Sequence, residues 1–194
     1  VFMFPGGGAQ YPNMARDLYE TEPVFAEWMD RGLAALKDAE AETRALWLPA
    51  PGQEAAAAEA LRQPSKQLPL ILIVEVALAK LWESWGVKPS VLIGHSMGEN
   101  AAACVAGVMT LEAAVGLVRL RGQLFDTVPA GGMLSVPLSE AALKPYLGDL
   151  DIASINAPEL TVVSGSDAGL KDLAARLKAD DIDTTRIAID IAAH

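Results

Sequence analysis

The pentapeptide Gly94-His95-Ser96-Met97-Gly98 constrains the fold of this chain more than any other stretch. A short apolar, β-branched run precedes it and an alanine-rich run follows it, which predicts a strand, a sharp turn and a helix. Two glycines flanking a serine in that context are typical of a nucleophile elbow, which lifts the serine hydroxyl clear of the sheet at the positive end of a helix. A plain strand-to-helix turn without chemistry is the alternative. The first interpretation makes Ser96 a candidate nucleophile.

Composition limits the kinds of binding partner and the cellular compartment that suit this chain. With 194 residues, of which 52% are hydrophobic, the chain is long and apolar enough to bury a core. A formal net charge of −10 argues against nucleic acid and acidic membrane surfaces, because both would repel the chain. Its single cysteine, Cys104, excludes an internal disulfide, and we expect a cytoplasmic protein with no bound metal. The most apolar run, Leu68–Leu81, is too short and too interrupted by charges to span a bilayer, and no signal peptide is visible.

The first two thirds of the chain predict one larger unit. The predicted elements are a buried strand at 1–4, helices at 12–19, 23–36 and 70–85, a surface excursion at 37–62, and a helix that Thr110 caps and that runs to Leu124. The loop Pro5–Gln10 contains three consecutive glycines, so a ligand could approach its backbone amides closely, although a flexible turn is the simpler explanation of such a run. The chain starts inside an apolar strand and stops at His194 without a polar tail. We therefore expect a part of a longer polypeptide.

Beyond Pro129 the pattern changes to short strands and helices. Strands are predicted at 133–136, 151–155, 160–164 and 184–189, and helices at 139–147 and 167–179. The order β-α-β-β-α-β is the ferredoxin-like signature. The sequence thus predicts an α/β protein in which residues 130–189 form a small ferredoxin-like subdomain inserted into a main domain made of residues 1–129 and 190–194.

A serine nucleophile needs a base, and the chain has only two histidines. His95 adjoins Ser96, where consecutive side chains diverge, so we interpret it as structural. His194 remains the candidate base, although a lone histidine is more often an ordinary core or surface residue. Arg119 and Arg121 lie two apart on one predicted helix, so one should face solvent and the other should face inward and need an anion.

Four motifs in order carry a family resemblance: Phe4-Pro5-Gly6-Gly7-Gly8-Ala9-Gln10, Gly94-His95-Ser96-Met97-Gly98-Glu99, Leu120-Arg121-Gly122, and a histidine after the ferredoxin-like unit. Together they resemble the acyltransferase domain of modular type I polyketide synthases, over essentially the whole chain. The pattern is also similar to malonyl-CoA:acyl carrier protein transacylases of fatty-acid synthesis. The resemblance implies an α/β-hydrolase-like main domain with a parallel sheet.

The resemblance also implies a mechanism. Ser96 would be the acylated nucleophile and His194 the general base, with the backbone N–H groups of Gln10 and Met97 forming the oxyanion hole. Arg121 would pair with the free carboxylate of the extender unit, the alternative being an ordinary ion pair on the helix surface. Coenzyme A thioester is then a substrate rather than a bound cofactor. The implied partners are an acyl carrier protein and neighbouring synthase domains such as the ketosynthase.

Some positions depart from the family pattern. Gly7 stands where glutamine is usual, Asn100 replaces a common tyrosine, and the segment 67–69 reads Gln-Leu-Pro instead of Thr-Gln-Pro. Before the histidine, Ile191-Ala192-Ala193 matches neither the malonyl nor the methylmalonyl pattern, and no acid partner for the histidine can be named.

Two residues give opposite indications of the extender unit. The small Ala193 favours methylmalonyl, whereas Met97 is typical of malonyl enzymes. With Ile191 as a further pocket residue, we predict that both extenders are accepted, with a lean to methylmalonyl.

Two rival functions remain at this stage. A serine esterase or thioesterase of the α/β-hydrolase kind shares the elbow but passes the acyl group to water. A non-catalytic scaffold that docks carrier proteins would keep the fold without the chemistry.

Overall fold

The computed structural model describes residues 1–194, which group by contacts into two units, Val1–Asp126 and Thr127–His194. The first unit contains, in chain order, β1 (Phe2–Phe4), α1 (Arg16–Thr21), α2 (Pro23–Ala34), a 3-10 turn (Lys37–Ala39), α3 (Glu40–Trp47), α4 (Glu54–Ala60), α5 (Pro64–Ser84), β2 (Leu92–Gly94), α6 (Gly98–Val105) and α7 (Leu111–Phe125). The second contains β3 (Gly132–Val136), α8 (Glu140–Leu143), a 3-10 turn (Lys144–Tyr146), β4 (Asp151–Ala157), β5 (Leu160–Gly165), α9 (Asp167–Ala179) and β6 (Thr185–Arg186).

Helix α5 is the centre of the first unit. It is apolar on nearly every side, and α2 and α7 both pack against it. It begins at Pro64, six residues before the predicted start, because proline at the first helical position lacks only an N–H that would have no partner there. No helix of the chain combines the length and the apolar character that crossing a membrane requires.

Strands β1 and β2 form a parallel pair in which Met3 is opposite Ile93. Phe4 is 6% exposed and belongs to the core, but Met3 is 75% and Ile93 is 49% exposed. The first strand was predicted to be buried, and this prediction is therefore wrong for the face that carries Met3. Alternating side chains point to opposite faces of a sheet, and here only one of the two faces is covered.

The second unit has its own core between an antiparallel sheet and α9. The strand order is β4-β5-β3-β6, and α9 packs against β3 and β5. The core residues are Leu134, Val136, Leu143, Val163, Leu170, Leu173 and Leu177. The elements follow the order β-α-β-β-α-β, although α8 ends at Leu143 and the chain continues as the 3-10 turn Lys144–Tyr146, in which Pro145 occupies an early position that needs no N–H donor.

Two boundaries differ from those expected. The last strand covers only Thr185–Arg186, whereas the sequence predicted 184–189. Residues 190–194, assigned from the sequence to the main domain, group by contacts with the second unit, and the Gly131 N–H donates to the Asp190 carbonyl at 3.4 Å.

Candidate active site

The turn between β2 and α6 has an unusual backbone at Ser96. Its φ of 53° lies in the left-handed region, which costs a residue with a side chain on the order of 1 kcal/mol. The turn is fixed on both sides: the His95 N–H donates to the Phe4 carbonyl at 2.9 Å, and the Gly98 N–H donates to the His95 carbonyl at 3.0 Å. The chain thus reverses sharply at Ser96 immediately before a helix begins.

The two glycines of the motif are required by close packing. A Cβ at Gly98 would lie 2.1 Å from the Phe4 carbonyl oxygen, and one at Gly94 would lie 2.2 Å from the Glu99 nitrogen. Real Cβ atoms do not approach backbone atoms so closely. A larger residue at Gly98 would push the start of α6 away from β1, and one at Gly94 would push it away from β2, so the glycines allow the start of the helix to pack closely on both strands.

The glycine-rich loop after β1 lies beside Ser96. A Cβ at Gly6 would be 3.1 Å from the Ser96 Cβ and 2.8 Å from the His95 carbonyl oxygen, so the loop backbone contacts the elbow directly. Gly8 has a φ of 103°, which few residues other than glycine adopt. The loop is therefore close enough to present backbone amides at the candidate nucleophile.

Two glutamine side chains hold this loop in place. The Gly8 N–H donates to Gln10 Oε1 at 2.9 Å and to Gln67 Oε1 at 3.3 Å. Gln10 Nε2 donates to the Leu61 carbonyl at 3.1 Å, and Gln67 Nε2 donates to the Arg62 carbonyl at 2.7 Å. A freely flexible turn, which was the alternative interpretation of the three glycines, does not describe a loop anchored in this way.

Met97 contributes to the site through its backbone. Its side chain is 1% exposed and belongs to the core of the first unit, while its backbone lies at the N-cap position of α6. The Met97 N–H donates to no acceptor of the chain. An unused N–H at the start of a helix, next to a serine, is an arrangement suited to stabilising negative charge.

The two arginines of α7 have different partners. Arg119 forms a bidentate ion pair with Asp38, with both N···O distances at 2.9 Å, and it also donates to the Leu36 carbonyl at 2.8 Å. These hydrogen bonds hold the pKa of the Asp38 carboxyl below its ordinary value. Arg121 pairs with no carboxylate; its guanidinium stacks over the Phe125 ring at 5.2 Å. The helix-surface ion pair proposed as an alternative role for Arg121 is thus formed by Arg119.

Gly122, the residue after Arg121, packs closely against helix α5. A Cβ at Gly122 would be 2.6 Å from the Ser65 Cα, so α7 packs tightly against the first turn of α5 at this point. That same turn carries Gln67, which holds the glycine loop. Arg121 is therefore on a part of α7 that packs on the segment supporting the loop.

The remaining predicted site residues belong to the second unit. Ile191 is 4% exposed, Ala193 is half-buried and His194 is exposed. The hydroxyl of the buried Ser164 on β5 donates to the main-chain oxygen of His194. Ser96 and Met97 thus follow one another at the elbow, Gln10 ends the glycine-rich loop of the first unit, and Ile191, Ala193 and His194 lie at the end of the second unit.

Sequence reasoning missed two buried polar residues of α5. Gln67 is 0% exposed, and the signal that could have found it was an amide at the start of the long apolar run of α5. Glu75 is 7% exposed, and neither of its carboxylate oxygens has a hydrogen-bond partner. Burial raises its pKa from 4.5 to about 8. Glu75 lines a cavity of about 580 Å³ with Phe2, Tyr11 and Trp82.

Comparison with known proteins decides which family uses this arrangement. The sequence profile of the acyl transferase domain matches residues 1–194. The chain belongs to the acyl transferase domain family. The family predicted from the four motifs, and with it an acyltransferase enzyme, is therefore confirmed.

The relatives of this acyl transferase domain are much longer proteins. Polyketide synthase GfsA of Streptomyces halstedii is 41% identical over 100% of this chain but only 3% of its own length. Erythronolide synthase EryA2 of Saccharopolyspora erythraea is 38% identical over 100% of this chain and 6% of its own length. The chain thus spans a small part of the synthases that it matches.

Solved structures share the α/β fold of this acyl transferase domain. The acyltransferase domain from the second module of the salinomycin polyketide synthase has a TM-score of 0.83 and 38% identity, covering 98% of this chain and 44% of that one. The malonyl CoA-acyl carrier protein transacylase of Coxiella burnetii has a TM-score of 0.82 and 30% identity, covering 98% of this chain and 61% of that one. The likeness therefore extends to a transacylase as well as to a synthase domain.

Proposed function

We propose that residues 1–194 carry the acyl transfer of a polyketide synthase, moving a malonyl or methylmalonyl group from coenzyme A to Ser96 and then to an acyl carrier protein. The observation that carries the proposal is the approach of the glycine loop to Ser96, with Gly6 packed against the serine and the unused Met97 N–H at the start of α6. Backbone amides on two sides of a serine are suited to an acyl-transfer transition state.

The proposed reaction has two steps. In the first, Ser96 Oγ attacks the thioester carbon as His194 takes its proton, and His194 returns that proton to the departing sulfur of coenzyme A. In the second, the phosphopantetheine thiol of the carrier protein attacks the Ser96 ester as His194 takes the thiol proton. The C–O bond breaks and Ser96 recovers the proton. The N–H groups of Gln10 and Met97 stabilise the oxyanion in both steps.

The selection of a dicarboxylic extender is assigned to Arg121. Its guanidinium has no carboxylate partner within the chain, unlike that of Arg119, so it is available for an anion of the substrate. A planar guanidinium matches a carboxylate with two parallel hydrogen bonds. Ala193 and Ile191 are the proposed residues of the extender pocket, and the domain is expected to accept malonyl and methylmalonyl.

The finer fold assignment is part of the same proposal. The first unit is proposed as α/β-hydrolase-like, and residues 130–189 as ferredoxin-like, on the basis of the element order and the strand order β4-β5-β3-β6. Residues 190–194 are assigned to the main domain on the basis of the family resemblance, although by contacts they group with the second unit. A ketosynthase domain is the proposed neighbour in the synthase, and coenzyme A enters only as the thioester substrate.

Intact-mass analysis of the protein offered malonyl-CoA and methylmalonyl-CoA tests this function. We expect a mass increase of one acyl group in the wild type and none in Ser96→Ala, which should keep its melting temperature because the lost hydroxyl leaves little cavity. The adduct should persist in buffer and disappear when holo acyl carrier protein is added. Rapid loss to water would indicate a thioesterase, and no adduct would indicate a scaffold.

A further inference from the structure

Gln67 is a buried glutamine whose side-chain amide is hydrogen-bonded at both ends. It is 0% exposed in the first turns of α5, where its neighbours from Leu68 onwards are apolar. A primary amide without partners would be costly in such surroundings, and here both of its ends are used. Its Nε2 donates to the Arg62 carbonyl at 2.7 Å and its Oε1 accepts from the Gly8 N–H at 3.3 Å. The amide therefore bridges the start of α5 and the glycine loop.

Gln67 and Gln10 anchor the same residue of the glycine loop, Gly8. Both Oε1 atoms accept from the one N–H of Gly8, and both Nε2 atoms donate to consecutive carbonyls, those of Leu61 and Arg62. The glycine loop is thereby attached to the turn before α5 through two parallel amide bridges. We call these two side chains the glutamine clamp.

The loop depends on the clamp because its own sequence supplies no rigidity. Residues 6–9 are Gly-Gly-Gly-Ala, which have no side chains to pack and which lose much backbone freedom on ordering. The Gly8 N–H is committed to the two amides, so it is not a donor toward a substrate. The orientation of Gly8 determines that of the peptide groups that lead to Gln10.

We propose that Gln67 is a positioning residue, which holds the backbone N–H of Gln10 at the place where the thioester oxygen becomes negative. This inference rests on the proposed function, in which Gln10 is an oxyanion donor. Gln67 acts through Gly8 and does not touch the substrate. The chain departs from the Thr-Gln-Pro pattern at this position, so the clamp is built from a residue that the family pattern does not supply.

The test is the rate of Ser96 acylation in Gln67→Leu, which keeps the approximate volume and removes both hydrogen bonds. Because a small displacement of a catalytic group is costly in rate, we expect the single-turnover acylation rate to fall about 10- to 100-fold while the half-saturating acyl-CoA concentration changes less than about twofold. If Gln67 were merely structural, its replacement would lower the melting temperature without lowering the acylation rate selectively over the half-saturating acyl-CoA concentration. Gln63→Leu is the matched control, since Gln63 is an exposed glutamine four residues earlier and should retain wild-type kinetics.

Two further variants keep the test decisive if Gln67→Leu does not fold. Gln67→Asn retains the amide but is too short to span both partners, so it should show the same loss of rate. In a double-mutant cycle of Gln67→Asn with Gln10→Leu, which keeps the Gln10 N–H, the combined loss should exceed the product of the single losses, because the remaining amide still holds Gly8 in part in each single variant.

The outcomes distinguish this inference from the proposed function. If wild-type Ser96 is never acylated, the proposed function fails. If wild-type Ser96 is acylated and the folded Gln67 variants react at the wild-type rate, or if the cycle with Gln10→Leu is additive, the positioning role of Gln67 is overturned and the proposed function stands.

Discussion

His194 is the proposed general base for Ser96, and the two residues belong to different units of the chain. His194→Ala should lower the acylation rate by about a hundredfold or more, as is usual when a positioned general base is lost. The adduct should still form on Ser96 at long times, because the backbone donors are unaffected. His95→Ala is the comparison, and a larger loss there than in His194→Ala would reverse the assignment of the base.

Arg121 is the residue for which substrate discrimination can be predicted. Arg121→Ala should weaken malonyl-type thioesters far more than acetyl-CoA, because it removes the partner of a carboxylate that acetyl lacks. The measurement is kcat/KM for both thioesters. Arg119→Ala is the control from the same helix, since Arg119 already pairs with Asp38. Equal losses for charged and uncharged substrates in Arg121→Ala would show that the side chain is structural.

Helix α5 carries a buried acid whose ionisation should affect stability. Burial raises the pKa of Glu75 from 4.5 to about 8, so between these values the unfolded state releases a proton that the folded state keeps. The free energy of unfolding should therefore decrease as pH rises through this interval, by at most about 1.4 kcal/mol per pH unit from this group. Below the unfolded pKa the effect vanishes.

Glu75→Gln removes this ionisable group at nearly constant volume. Chemical denaturation between pH 5 and pH 9 should show that the variant gains stability over the wild type as pH rises. Glu59→Gln, at a carboxylate whose side chain is 80% exposed, should run parallel to the wild type. A constant difference between Glu75→Gln and the wild type across this range would mean that Glu75 finds a partner in solution.

The helices that were best predicted from sequence are those with local signals at their ends. Thr110 and Ser166 cap α7 and α9 by accepting from the N–H groups of Ala113 and Gly169, which are three residues on. Such capping depends only on neighbours in sequence. Helix α5 is apolar on nearly every side, so its hydrophobic pattern has no clear periodicity, and its start was predicted six residues too late.

The functional details that were missed depend on contacts distant in sequence. Gln67 accepts a hydrogen bond from the N–H of Gly8, which lies 59 residues earlier in the chain, and no local sequence pattern indicates such a pair. The exposed face of β1 was also unpredictable, because an apolar run does not reveal which of its alternating side chains will be covered. The elbow was predictable, since its two glycines and its serine lie within five consecutive residues and form a known local motif.

The predicted choice of extender rests on two residues. Met97 and Ala193 give opposite indications of the extender unit. Because a methyl group in an apolar pocket is worth only about 1–3 kcal/mol, both extenders should be loaded, with a modest preference for methylmalonyl.

Competition between the two thioesters in one tube measures that preference. Ala193→Phe should shift the ratio of kcat/KM toward malonyl by filling the space for the branch, while Ala192→Phe at the exposed neighbouring position should leave it unchanged. Near-exclusive loading of malonyl by the wild type would show that Ala193 does not set the pocket.

The left-handed backbone at Ser96 has an evolutionary consequence. Glycine adopts a φ of 53° without penalty, so Ser96→Gly should fold at least as stably as Ser96→Ala while having no hydroxyl to acylate. Natural selection for folding alone would therefore favour the loss of the nucleophile. In a duplicated copy no longer needed for acyl transfer, position 96 is among the first where selection for stability would favour glycine, and a serine is expected to persist there only where its proposed chemistry is in use.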